Sequence, residues 1–409
     1  MNVKHLGIKI SLFLNYFVLA ILLNSVGTVI LQVQNNFGVS ESSASMLEAF
    51  KDLSVAVASF LVASYIVRIG YKRTMLIALA ALSGICLIIP NVPSFLMTKL
   101  LFMVVGISFA LVKVSVFATI GLVTKDQKEH VSFMNFLESF FMIGILSGYF
   151  VFSYFIDDDD PASTSWFRVY YLLAFISALA FINLLFSKLD ESEIQQEASK
   201  SMFADMLDMI RLAGKPMVIV FIFCAFLYVL IEQGIMSWLP TFNNRILNLP
   251  SSLSVEMASI LALSTAIGRF GAGVILKKVK WYPVLTVCLL AGMILILLAL
   301  PLANRASSTE NMTWLTAPIA AYVFPLIGLF LAPIYPAINS VILSALPLKQ
   351  HGPMSGLIVI FSALGGTTGS IITGNLFEYM GGQKAFYFTL IPIAILMVLL
   401  FVFNRRVST

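Results

Sequence analysis

KLDESEIQQEASKSMFADMLDMIRLAGK, running from Lys188 to Lys215, is the longest polar stretch in the chain, and it divides the sequence in two. Cutting the remainder at charged or Pro/Gly-rich interruptions leaves six apolar blocks before it: Ile8–Val33, Ser43–Val67, Thr74–Pro90, Phe95–Val123, Val131–Ile156 and Phe167–Phe186. Six more follow: Pro216–Asn243, Leu253–Leu276, Pro283–Ala303, Thr316–Leu346, Pro353–Phe377 and Ala385–Phe403. A bilayer core takes about 20 helical residues to cross, and these blocks have that order of length. The first is too long for a signal-peptide core and reads as a retained span. Inside the dividing stretch, Met202, Phe203, Met206, Leu207 and Ile210 recur at helical spacing against Asp205, Asp208 and Arg211, the pattern of a helix lying on a membrane surface.

Composition agrees with the blocks. Of 409 residues, 59% are hydrophobic and only 11% charged, and the mean hydropathy is +0.96. A water-soluble domain carries about a quarter of its residues as charges, so a soluble fold is excluded. The expected architecture is an all-α membrane protein with twelve transmembrane helices in two pseudo-symmetric six-helix bundles. Residues 1–187 form one bundle, 188–215 a cytoplasmic linker, and 216–409 the other. The cysteines Cys86, Cys224 and Cys288 fall in apolar blocks and read as packed thiols, and His5, His130 and His351 lie near helix ends. No metal or cofactor site is expected, nor the nucleophile–base constellation an enzyme needs.

Basic residues set the orientation. With both termini cytoplasmic, the inner loops hold Arg68, Lys72, Arg73, Lys125, Lys128, Lys188, Lys200, Arg211, Lys215, Lys277, Lys278, Lys280 and Lys349. The outer loops hold Lys99, Arg168, Arg245, Arg305 and Lys384, together with the acidic run Asp157–Asp160. Positive residues favour the cytoplasmic side, so the expected location is the inner membrane, multi-pass.

Charges within the spans carry the functional signal, because an ion near the bilayer centre costs at least about 2.5–3.5 kcal/mol and normally faces water or a partner. They are Glu48, Lys51 and Asp52 in the second span, Lys113 in the fourth, Glu138 in the fifth and Glu232 in the seventh. Lys113 and Glu138, on consecutive antiparallel helices at comparable depth, are expected to form an ion pair facing a central cavity. Glu48 and Lys51 are spaced to pair locally. Arg269, toward the cytoplasmic end of its span, is expected to snorkel or to contact the loop. Amide and aromatic candidates for the cavity are Asn15, Asn24, Gln32, Asn135, Gln233, Trp238, Tyr335 and Asn339, the side-chain types that hold sugar hydroxyls and C–H faces. Gly144 and Gly148, and Gly365, Gly366, Gly369 and Gly374, are spaced for close helix packing. Pro325, Pro333 and Pro336 should break or kink the tenth span.

A faint internal repeat links the halves. SVAVASFLVASYIVR (Ser54–Arg68) and STAIGRFGAGVILKK (Ser264–Lys278) each close the second span of a half and lead through a short basic turn into the next helix. Two parallel six-helix halves around a cavity are the plan of major facilitator carriers. Four further stretches resemble the fucose permease-like sugar:proton symporters of that superfamily: FLYVLIEQGIMSWLP (Phe226–Pro240), IGRFGAG (Ile267–Gly273), GLFLAPIYPAINSVILSAL (Gly328–Leu346) and SGLIVIFSALGGTTGSIITG (Ser355–Gly374).

The resemblance implies proton-coupled sugar symport by alternating access, with a sugar or sugar derivative and protons as partners, a lipid bilayer as the setting, no nucleic acid, and a monomer. It implies that Glu232 matches the family's acidic residue on the seventh helix and that Glu138 stands near a polar sugar-contacting position. Gly27 and Lys113 stand where the family commonly carries carboxylates, so the charge has moved in this chain. Asp52, Lys113, Glu138 and Glu232 are the expected coupling or substrate residues, and the cationic Lys113 points to acidic or N-acylated sugars, with a neutral hexose as the alternative. RIGYKR (Arg68–Arg73) is only part of the superfamily's basic loop motif, with Val67 in place of an aspartate, so the cytoplasmic charge latch is expected to be absent or altered. A proton-driven exporter of drugs or metabolites is the alternative; it requires a spacious, mostly apolar cavity.

Overall fold

The computed structural model describes residues 6–124, 127–189, 191, 202–303, 312–347 and 350–408. Among them the regular structure is entirely helical. In chain order the helices are α1 (Leu6–Asn24), α2 (Val26–Phe37), α3 (Glu41–Ile69), α4 (Tyr71–Ile88), α5 (Phe95–Val123), α6 (Gln127–Phe155), α7 (Val169–Phe186), α8 (Met202–Ala213) and α9 (Pro216–Met236). They continue as α10 (Leu239–Arg245), α11 (Ser251–Ile275), α12 (Trp281–Ala303), α13 (Ile319–Val323), α14 (Ile327–Leu331), α15 (Ile334–Ser344), α16 (His351–Met380), α17 (Gly382–Tyr387) and α18 (Leu390–Ser408).

Eleven segments among the described residues are long and apolar enough to cross a bilayer. The 29-residue α3 stands beside them, and together they account for the expected twelve-span plan. Helix α12 shows the membrane logic: it buries Leu285, Leu289 and Ile296 while leaving Val287, Leu290, Ile294 and Leu298 exposed. A helix apolar on its exposed face as well as its buried one is suited to lipid.

Several spans are broken. The tenth divides into α13, a 3-10 turn at Phe324–Leu326, α14 and α15, with Pro325 in the turn and Pro333 at the last junction; Pro336 falls in the first turn of α15, where a proline is tolerated, and does not interrupt it. The first span, which the sequence shows as one apolar block, breaks between α1 and α2 at Ser25. Side chains absorb the break: Ser25 Oγ donates to the Leu22 carbonyl at 2.8 Å and Asn24 Nδ2 to that of Ala20 at 2.9 Å. Backbone groups freed in an apolar setting need such partners.

The chain forms two compact units. Unit 1 comprises Met1–Val26, Phe50–Phe155 and Ser163–Met202; unit 2 comprises Gly27–Ala49, Ile156–Ala162 and Phe203–Thr409. In unit 1, α6 lies against α1 where a Cβ on Gly144 would stand 2.7 Å from Ala20 Cβ and 2.8 Å from the Phe17 carbonyl, and one on Gly148 would meet Ile21 at 3.4 Å. In unit 2, Gly365 and Gly369 of α16 ride directly on the Phe226 and Leu230 carbonyls of α9. Only glycine allows backbones this close.

Helix α8 forms at the expected place, burying Met209 and Leu212 and exposing Ile210. Its Met209 sulfur rests on Gly356 of α16. The rest of the expected linker, residues 190 and 192–201, lies outside the described residues.

The basic loop of unit 1 is tied to two neighbouring segments through Lys72. Lys72 Nζ donates to the carbonyls of Leu185 at 2.9 Å and Ser187 at 2.6 Å, at the C-terminus of α7. Its backbone N–H donates to Glu191 Oε1 at 2.7 Å, so a carboxylate sits on the first turn of α4. Each charge meets the helix end of opposite polarity. The turn into α4 is made by Gly70 at φ +93°, a conformation that favours glycine. The side chains of Val67 and Arg68 lie outside the described residues.

Candidate functional site

Unit 1 gathers one set of the expected residues. On α5, a Cβ at Gly106 would run into the Lys51 carbonyl of α3, so that face is turned toward protein. Lys113 lies about two turns further along the same face. Its ammonium stands 5.3 Å from the Phe109 ring centroid and 6.0 Å from that of Phe117. A ring face attracts a cation through its quadrupole, a contact of about 0.5–2 kcal/mol.

Lys113 and Glu138 are both exposed. Glu138 acts electrostatically on Lys113 and on Tyr16 of α1. The expected ion pair does not form: among the described residues no direct Lys113–Glu138 contact closes, and the lysine takes ring faces in its place. Tyr16 is 3% exposed, its ring 5.7 Å from Phe141 and 6.5 Å from Phe117, and its hydroxyl has no hydrogen-bond partner among the described residues. Phe109 in turn lies 6.2 Å from Phe141. The result is a cation, an anion and a phenol without a hydrogen-bond partner among the described residues, set among three phenylalanine rings.

Other unit 1 residues are held more locally. Asp52 pairs with its neighbour Lys51 at 3.4 Å. Asn15 donates to the Ser11 carbonyl at 2.7 Å, and Asn24 secures the break in the first span as described above; both amides serve their own helix. The side chain of Asn135 lies outside the described residues.

Unit 2 gathers a second set, tied much more tightly. Glu232 of α9 accepts the Tyr228 hydroxyl at 2.7 Å and pairs with Arg269 Nη2 of α11 at 3.7 Å. Arg269 therefore turns to a carboxylate on a neighbouring helix and not to the loop, which corrects the sequence expectation. Tyr228 stacks on Tyr335 of α15, centroids 5.5 Å apart and planes 19° from parallel. The Tyr335 hydroxyl bonds Ser362 Oγ of α16 at 2.8 Å. Asn339, one turn beyond Tyr335 on the same face, also lies beside that phenol, and its Oδ1 is buried without a partner among the described residues. Gln233 is half-buried on α9.

Two residues fall away from this cluster. Trp238 is fully buried, its indole N–H given to the Ser370 carbonyl at 3.1 Å and its ring against Phe377 at 5.1 Å; it belongs to the packed core and not to a solute surface. Glu48 is also fully buried and accepts Ser237 Oγ at 2.8 Å.

Tyr16, Tyr228, Ser362 and the pairing of Arg269 escaped the sequence reading. Tyr228 was detectable, since it stands four residues before Glu232 and so shares its helix face.

Chemically, both clusters suit reversible binding, with charges and hydroxyls beside flat rings, on helices long enough to span a membrane. Comparison with known proteins agrees. A family model described as Major Facilitator Superfamily matches residues 12–326. A fungal relative, the MFS transporter asaE of Aspergillus flavus, is 28% identical over 170 residues, which is 40% of this chain and 35% of that protein; the match thus covers about a third of the relative's length.

Among solved structures, a variant of the nucleoside transporter NupG superposes with a TM-score of 0.77 at 14% identity, covering 97% of this chain and 99% of that one. A bacterial homolog of the human lysosomal transporter Spinster gives 0.76 at 15% identity, covering 99% and 98%. A D-xylose-proton symporter gives 0.73 at 10% identity, covering 97% of each. At such identities the superpositions speak for the fold alone. Broken membrane-length helices, charges set beside aromatic rings within them and a family match over most of the sequence lead to one assignment: this chain is a multi-pass membrane protein belonging to the Major Facilitator Superfamily of transporters.

Proposed function

We propose that this transporter is a proton-coupled symporter for a sugar or sugar derivative. In this reading it lies in the inner membrane with both termini cytoplasmic, and residues 1–187 and 216–409 act as two pseudo-symmetric halves joined by the linker 188–215. The observation that carries the reading is the unit 1 cluster, where Lys113 stands over the Phe109 and Phe117 rings with Glu138 in electrostatic reach. A sugar needs oriented polar groups for its hydroxyls and flat apolar faces for its C–H surface, and both occur there. The resemblance to fucose permease-like carriers and the fold shared with a D-xylose-proton symporter support the same substrate class. The polar groups in the clusters favour it over export of apolar drugs.

In the mechanism proposed, one of Asp52, Glu138 and Glu232 takes up a proton from outside. The solute then binds, and alternating access delivers both to the cytoplasm. Proton gain by a carboxylate removes its hold on a neighbouring cation, which links proton occupancy to the solute's electrostatic surroundings. The test is uptake of radiolabelled sugars by proteoliposomes with and without an imposed pH gradient. Accumulation of at least one sugar that depends on the gradient is expected. Absence of uptake under every gradient overturns the reading.

A further inference from the structure

Arg269 lies within a membrane-length helix, yet its guanidinium is held by one long contact, 3.7 Å to Glu232, and its side chain is 45% exposed. A guanidinium carries five donors. Among the described residues no hydrogen bond from Arg269 to protein is formed, so most of these donors are unmatched. Glu232, its partner, is already engaged by the Tyr228 hydroxyl at 2.7 Å and keeps that bond if the arginine turns elsewhere.

The exposed flank of α11 that suits lipid is a separate stripe of Leu263, Ile267, Phe270 and Val274. Arg269 lies off it, on the side of α9. From Glu232 the contacts run through Tyr228 to its stacking partner Tyr335, then to Ser362 on the Tyr335 hydroxyl and to Asn339 beside that phenol, whose carbonyl oxygen has no partner among the described residues. The planar fork of an arginine matches a carboxylate with two parallel hydrogen bonds, a match a lysine cannot make.

We infer that Arg269 is the docking cation for a carboxylate on the transported solute, so that the substrate class is sugar acids and not neutral sugars. The carboxylate takes the guanidinium from Glu232, and Tyr335, Ser362 and Asn339 receive the ring and hydroxyls. The inference rests on the reading of the chain as a carrier of sugar-like solutes and narrows it.

The test is thermal stabilisation of the purified full chain in detergent by D-glucuronate, D-galacturonate and D-gluconate, each against its neutral counterpart D-glucose or D-galactose. At least one acid is expected to bind about tenfold or more tightly than its neutral counterpart, the range for a charge-assisted pair. Arg269→Gln should erase that preference and Arg269→Lys restore part of it. Glu232→Gln should tighten acid binding severalfold, because the competing carboxylate is gone. Equal binding of acid and neutral sugar, or a preference that survives Arg269→Gln, overturns the inference. Should Arg269→Gln fail to fold, Glu232→Gln decides: unchanged acid affinity overturns it. Proteoliposomes that take up neutral sugars without preferring acids leave the symporter reading intact and remove only this inference, whereas failure with both classes removes both.

Discussion

Two clusters of ionisable side chains stand within membrane-length helices of this transporter, and they keep their charges in opposite ways. In unit 1, Lys113 rests over aromatic faces, Glu138 is exposed nearby, and the Tyr16 hydroxyl has no hydrogen-bond partner among the described residues. In unit 2, Glu232 is held by a phenol and a guanidinium, and the second phenol is tied to a serine. The first arrangement gives its ions ring faces and no direct counter-ion contact among the described residues; the second ties its carboxylate and both phenols, while its guanidinium keeps only one long contact. A loosely satisfied ion gains most from an incoming solute, whereas a tied one must exchange a partner before it can respond.

The contrast breaks most easily at Lys113. Lys113→Ala should lower uptake about a hundredfold or more, since a lost charge-assisted contact to the solute costs up to about 3 kcal/mol, and Glu138→Gln should act in the same direction. Uptake in proteoliposomes at matched protein insertion is the measurement; normal transport in Lys113→Ala would reduce the unit 1 cluster to scaffolding. A smaller effect is expected from Tyr228→Phe, which removes one hydrogen bond to a carboxylate worth about 1.5 kcal/mol, so uptake should fall about tenfold. An unchanged rate there would mean that the tie in unit 2 is not used. The smallest effect belongs to Tyr16→Phe. Deleting a hydroxyl that lacks a partner removes an unmet demand, so the melting temperature should hold or rise and uptake stay within about twofold of wild type. A tenfold loss would mean that the Tyr16 hydroxyl finds its partner only during transport, and unit 1 would then resemble unit 2.

The spans, their order and the broken tenth segment were legible in the sequence because each has a local cause: apolar run length, charged interruptions, or proline at positions 325 and 333. The break at Ser25 was not, because serine and asparagine inside an apolar block look alike whether they bond back to their own helix or reach elsewhere. The partnership of Glu232 with Arg269 was also hidden, since it depends on which helices are neighbours and how each is rotated. Trp238 misled for a related reason. An indole in an apolar block has the same composition whether it lines a solute path or gives its N–H to Ser370, and only the facing helix decides. Lys113 and Glu138 stand out in the sequence by the cost of charge in lipid, but that cost names the residue and not the group that relieves it.

The glycines of α16 that ride on the carbonyls of α9 carry one more implication. Helices meshed so closely cannot slide past each other without backbone collision, so in the proposed carrier Glu232 on one and Ser362 on the other would keep their separation. They would form the fixed jaw of a clamp. A solute docking there as proposed would meet half of its contacts already at the right spacing, the entropy of arranging them spent during folding.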